Sequence, residues 1–165
     1  MLNICQVSLE RDIPIILENF YSFKKIYKSF RIFIICPASE INVFKKKLNY
    51  DEFKFINEND LISIQEFKAI YEDLSVLNKH QELLKNRLSW YYQQVLKLSF
   101  IVQFVERNRE NIIIWDADTL ILKKIEFFKN KKSIPYGTLF EFHKHYFKTN
   151  NSIIGELPKY FISSL

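Results

Sequence analysis

Asn111-Ile112-Ile113-Ile114-Trp115-Asp116-Ala117-Asp118-Thr119-Leu120-Ile121-Leu122 is the stretch on which the reading of this chain turns. Three isoleucines and a tryptophan run straight into two acids, and aliphatic residues follow. An unbroken apolar run of this kind predicts a strand buried on both faces, as in the middle of a parallel sheet. Asp116 and Asp118 then fall where the strand ends. In open α/β sheets, ligands bind outside the carboxyl ends of the strands. Side chains at i and i+2 of an extended segment point the same way, so the two carboxylates are expected to converge on one hard cation. The plainer alternative is that Asp-x-Asp only closes a turn or caps a helix, since Asp accepts bonds from nearby backbone N–H groups. The apolar context favours the site, because acids next to a buried strand need partners.

Working upstream, Ser89–Glu106 gives the strongest helical pattern. Tyr91, Val95, Leu98, Val102 and Val105 recur at helical spacing and are expected to face the core. Gln93, Gln94 and Lys97 share another face. Lys97 sits at the border of the apolar stripe, with its ammonium free to reach outward. Before this helix, Leu2–Ser8, Arg31–Cys36 and Phe53–Ile56 read as strands, and Ile13–Ser29 and Ser39–Leu48 as helices. This βαβαβ opening predicts an α/β fold with a mostly parallel central sheet flanked by helices. Residues 62–86 are mixed and polar and read as surface helices and loops. After Asp118, Thr119–Ile125 is expected to stay extended, and Ile134–Phe142 to form a further strand.

The segment of residues 87–122 resembles the Asp-x-Asp region of nucleotide-sugar glycosyltransferases of the GT-A type. It is most similar to the glycogenin-like family, in which a helix carrying Lys-Leu precedes a strand ending in Asp-Ala-Asp-Thr-Leu. Lys97-Leu98 and Asp116-Ala117-Asp118-Thr119-Leu120 are the matching pieces here. Trp90-Tyr91-Tyr92-Gln93-Gln94-Val95-Leu96-Lys97-Leu98 also resembles a group of bacterial glycosyltransferase-like proteins. The resemblance extends over most of the chain, and its specific motifs lie within residues 87–122. It implies a Rossmann-like GT-A fold in a single domain of residues 1–165, ending soon after the donor-binding half. It further implies metal-dependent transfer of a sugar from a nucleotide-diphosphate donor, a UDP-sugar first, to a hydroxyl on a glycan or other acceptor, as in bacterial surface-glycan synthesis. Asp116 would contact ribose or the ion, and Asp118 would ligate that ion, Mn²⁺ or Mg²⁺. Lys97, with Arg87, would face the donor diphosphate. Arg11 and Asp12, in the loop after the first strand, become candidates for the base and ribose; Asp12 is equally readable as the cap of the next helix. The resemblance assigns no catalytic base.

Downstream, Glu141, His143 and His145 suit a transition metal if that segment is extended. His143 is thus a further candidate metal ligand, and the lining of an acceptor cleft is an equally good reading. Two other readings compete with the glycosyltransferase one. Haloacid-dehalogenase-type phosphatases also place Asp-x-Asp after an apolar strand. They need Thr two places after the second acid, where Leu120 stands, and later acids for Mg²⁺, whereas no Asp follows Asp118. A basic, aromatic-rich nucleic-acid or membrane-surface module is the non-enzymatic alternative. Because most Phe and Tyr lie in apolar stripes, no nucleic-acid partner is expected.

Composition sets the outer limits. The chain has 165 residues, 48% hydrophobic and 16% aromatic, enough for a packed core. With only 2 Gly, it has no Gly-x-Gly-x-x-Gly and no Walker loop. A bound phosphate would therefore need a metal or basic side chains. The 2 cysteines, Cys5 and Cys36, lie in apolar segments and read as buried thiols. No membrane span is expected, and a reducing cytoplasm is. The abundance of Ile, Lys, Asn and Phe points to a bacterial source. Net charge is +5, with lysines clustered at 24–25, 45–47, 123–124 and 131–132. These read first as solvated surface, then as peripheral attraction to the anionic inner face of a membrane.

Overall fold

The computed structural model describes residues 1–76, 87–129 and 132–134. They belong to two compact units, Met1–Lys124 and Ile125–Leu165. The first is an α/β unit. Strands β1 (Leu2–Val7), β2 (Phe30–Cys36), β3 (Phe53–Asn57) and β4 (Ile112–Ile114) form one sheet in the order β3-β2-β1-β4, with every pairing parallel. The helices are α1 (Ile13–Ile26), α2 (Ile41–Lys47), α3 (Ile64–Val76) and α4 (Leu88–Asn108). This four-stranded parallel sheet flanked by helices is compatible with a Rossmann-like fold. In the second unit, β5 (Phe128–Lys129) and β6 (Lys132–Ser133) pair as a short antiparallel ribbon.

The alternation of side chains along β1 and β2 separates two cores. On one face, Ile4, Ile32 and Ile34 are fully buried, as are Ile16, Phe20 and Phe23 of α1. Phe20 packs against Phe30 and Phe53, Phe23 reaches Trp115, and Phe44 of α2 lies near Phe55. On the other face, Cys5, Phe33 and Ile35 meet Phe67 of α3 and Tyr92, Leu96, Phe100 and Phe104 of α4. Each such side chain taken from water stabilises the fold by about 1.5–3 kcal/mol.

Register places the chemistry. The chain runs β1-β2-β3 in one direction, then returns to set β4 on the other side of β1, so strand order reverses between β1 and β4. All four carboxyl ends lie along one edge of the sheet, and the crevice outside β1 and β4 is the topological switch point.

Three expectations from sequence are corrected here. First, α4 turns a different stripe to the sheet, and of the expected one only Tyr91 and Val95 pack at the border of the core. Leu98, Val102 and Val105 are 55%, 55% and 43% exposed, whereas the stripe of Tyr92, Leu96, Phe100 and Phe104 is buried. Both faces of this helix are apolar, and the aromatic face, with more surface to bury, takes the sheet. Second, among the described residues the isoleucine strand is an edge strand of three residues, each half-buried, rather than a central strand buried on both faces. Third, residues 62–86 are not all surface, because Phe67 is buried against Tyr92. The strand expected at Ile134–Phe142 lies outside the described residues beyond Ile134. No helix among the described residues is long and apolar enough to cross a membrane.

Candidate functional site

β4 stops at Ile114, although Trp115 N still donates to Cys5 O at 3.0 Å and carries the ladder one step further. The chain then turns. Thr119 N donates to Asp116 O at 3.1 Å, and Trp115 Nε1 donates to Thr119 O at 2.7 Å. Asp116 and Asp118 thus sit on a tight turn, not on an extended segment. The i, i+2 argument for their convergence loses its premise, and the turn takes its place in setting both carboxylates at the end of β4.

Two side chains hold this turn from opposite faces of the sheet. From α4, Lys97 Nζ donates to Asp116 Oδ1 at 2.6 Å. Lys97 is 4% exposed, which corrects its reading as a solvated lysine reaching outward. Its place follows from the rotation of α4, which turns the Leu96-Lys97 flank inward. The Asp116 side chain is 62% exposed, so the pair joins a buried ammonium to an open carboxylate. From α1, Asn19 Nδ2 donates to Ala117 O at 2.6 Å.

Cys5 lies close to Lys97, which favours the thiolate, yet burial dominates and pushes the thiol up to about 12. It is a fully buried, neutral group of the core. Asp118 is exposed and has no hydrogen bond or ion pair among the described residues.

A divalent ion can be tested against this donor set. Among the described residues no three His, Cys, Asp or Glu side chains gather as a metal-binding group. The turn offers at most Asp116 Oδ2, the oxygen that Lys97 leaves, and the carboxylate of Asp118. Mg²⁺ is commonly held by one or two carboxylates, with phosphate and water supplying the rest. Two hard oxygen donors on an exposed turn fit that pattern and do not fit a cage made wholly of protein.

Arg11, Asp12 and Arg87, also singled out from sequence, make no hydrogen bond or ion pair to the turn among the described residues. Arg11 is largely exposed, with Nε 3.8 Å from Asp12. It lines an open cleft of about 820 Å³ with Leu9, Glu10, Pro14, Glu40 and Lys47, among others, and Asp116, Asp118 and Lys97 are not in that lining. Asp12 does not cap α1 with its side chain; its carboxylate accepts from Leu9 N at 2.8 Å. Arg87 is exposed at the N-cap of α4. It stands about 15 Å along the helix from Lys97 at 1.5 Å per residue. His143 lies outside the described residues.

Sequence reasoning missed the polar floor under the turn. Gln6 and Asn19 are fully buried and Ser8 is nearly so. Both amide atoms of Gln6, Ser8 Oγ and Asn19 Oδ1 have no hydrogen-bond partner among the described residues. Gln6 lies one residue beyond Cys5, which pairs with Ile114, and so adjoins Trp115 on the α1 side. A signal was present, because Asn19 interrupts the apolar sequence Ile16, Phe20, Phe23 on α1 at a core position.

No family model matches this chain, no curated protein matches it, and no solved structure matches it.

Proposed function

We propose that this chain binds a nucleotide diphosphate together with Mn²⁺ or Mg²⁺ at the β1–β4 switch point, and that it serves a glycosyltransferase of the GT-A type moving a sugar from a UDP-sugar to an acceptor hydroxyl. The observation that carries the binding part is the Asp116–Thr119 turn. It sets two carboxylates at the carboxyl end of β4, beside the point where strand order reverses, and it is braced by Lys97 and Asn19. The glycosyl-transfer part rests on the resemblance of residues 87–122.

The chemistry follows from charge. A diphosphate brought to two carboxylates meets like charge, and no glycine-rich backbone cradle is present to offset it. A bound divalent cation would offset this repulsion and stabilise the diphosphate as it leaves. Asp116 and Asp118 would hold that ion. Lys97 keeps one oxygen of Asp116 occupied and leaves the other turned to solvent, so in this arrangement it orients a ligand carboxylate. Its reach to the donor phosphate, implied by the resemblance, is replaced in this proposal by that orienting role.

The test is the electron paramagnetic resonance signal of free Mn²⁺ during titration with protein, with and without UDP. The wild type should deplete the signal, more strongly with UDP, and Asp118→Asn should deplete it at least tenfold less well while unfolding at the same urea concentration. An unfolded Asp118→Asn protein, or one that depletes Mn²⁺ as well as the wild type, would reduce Asp118 to a turn residue.

A further inference from the structure

Asn19 departs from the pattern of the helix that carries it. Its neighbours Ile16, Phe20 and Phe23 are fully buried, and so is Asn19. An amide at such a position is a poorer helix former than leucine and must be desolvated. Its Nδ2 makes the bond to Ala117 O, while Oδ1 has no partner among the described residues. A leucine would fill the same space without an orphaned oxygen. A local choice that gains so little for folding points to the thing it touches.

What it touches is the peptide between the two acids. A trans peptide is planar, with its C=O and N–H on opposite edges, and the described chain has no cis bonds. With Ala117 O drawn toward α1, the N–H of Asp118 is directed away from α1. That N–H donates to no acceptor among the described residues. Were this peptide flipped, a ligand oxygen facing the turn would meet a carbonyl lone pair.

We infer that Asn19 is a positioning residue: by holding the Ala117 carbonyl it fixes the Ala117–Asp118 peptide and presents Asp118 N–H as a hydrogen-bond donor to a phosphate oxygen of the ligand. The turn then combines carboxylates for a cation with a backbone donor for the anion that accompanies it. This inference rests on the proposed diphosphate site and adds a phosphate contact to it.

Amide NMR of the ¹⁵N-labelled protein, titrated with UDP in the presence of Mg²⁺, tests it. In the wild type the Asp118 amide should move more than any other amide of residues 111–122. Asn19→Leu, which keeps the size and loses the donor, should shift the Asp118 amide before ligand is added. It should also weaken UDP binding about tenfold and leave uridine binding unchanged, a distinction that a merely structural role would not make. UDP binding with an unmoved wild-type Asp118 amide overturns the inference and leaves the diphosphate site standing; this arm decides the matter even if Asn19→Leu does not fold. A folded Asn19→Leu protein that binds UDP like the wild type overturns it equally. Failure of the wild type to bind UDP at all contradicts the site itself, and the inference with it.

Discussion

Lys97 Nζ and Asp116 Oδ1 lie 2.6 Å apart across the end of the sheet, yet the lysine is 4% exposed and the aspartate side chain 62%. The two ends of this bond therefore differ in what their loss would do. Removing the lysine leaves a carboxylate that water can solvate. Removing the carboxylate leaves a buried ammonium with no other hydrogen-bond or ion-pair partner among the described residues. Asp116→Ala should accordingly cost roughly 2 kcal/mol in urea unfolding, as for a buried charged group left unsatisfied. Lys97→Met should stay within about 1 kcal/mol of the wild type, since its stem packs as before. Equal losses for the two variants would contradict the placement of Lys97 in the core.

The orientation of α4 is open to the same kind of check. Phe100 and Phe104 are buried and pack against Phe33, one tilted and one edge-on, whereas Leu98 and Val102 are exposed. Phe100→Ala and Phe104→Ala should each cost about 3–5 kcal/mol. Leu98→Gln and Val102→Gln should change stability by no more than about 0.5 kcal/mol. The reverse order would restore the orientation that the valine and leucine spacing suggests.

Burial pushes the thiols of Cys5 and Cys36 up to about 12; at Cys36 the nearby carboxylates of Glu40 and Glu58 add to the effect. The thiolate is the reactive form. Native protein should therefore leave both cysteines unmodified by a disulfide reagent at pH 8, and the same reagent in urea should modify both. Rapid reaction of the native protein would show that the carboxyl ends of β1 and β2 open to solvent.

At the start of α3, Ser63 N donates to Glu66 Oε2 at 2.8 Å and Glu66 N donates to Ser63 Oγ at 3.1 Å, a reciprocal cap. The hydroxyl and backbone bonds from Ser63 hold the Glu66 carboxyl below its ordinary 4.5. A depressed acid contributes stability that is fully present above its unfolded pKa and is lost as pH falls through its folded value. The difference in urea midpoint between the wild type and Glu66→Gln should be constant from pH 7 to about 5 and should vanish as pH drops below the carboxylate range. A difference that grows in acid would reverse the assigned sign.

The fold was legible where apolar runs were short and bounded. Arg31–Cys36 closed by Pro37, and Phe53–Ile56 before a polar turn, mark β2 and β3 within a residue, and Leu2–Ser8 marks β1. Helix α4 was legible as a helix but not in its orientation, because Tyr91-Val95-Leu98-Val102 and Tyr92-Leu96-Phe100-Phe104 are both apolar at helical spacing. Only the volume of the partner face decides between them. The apolar run at 111–122 concealed its own end, since the turn at Asp116 is closed by Trp115, Thr119 and Asn19. Lys97 and Asp116 were both visible as site residues, but the bond between them depends on the rotation of α4. Asn19 could be seen as a polar residue in a core stripe; its partner, Ala117, has no side-chain chemistry to reveal it.

The central claim is that the Asp116–Asp118 turn holds a divalent cation and a nucleotide diphosphate together. Calorimetric titration of the protein with UDP, once with Mn²⁺ and once with EDTA, tests it most directly. The expected result is binding with Mn²⁺ that weakens at least tenfold in EDTA, with Asp118→Asn behaving in Mn²⁺ as the wild type does in EDTA. UDP binding of equal strength in both solutions, or none in either, would contradict the claim.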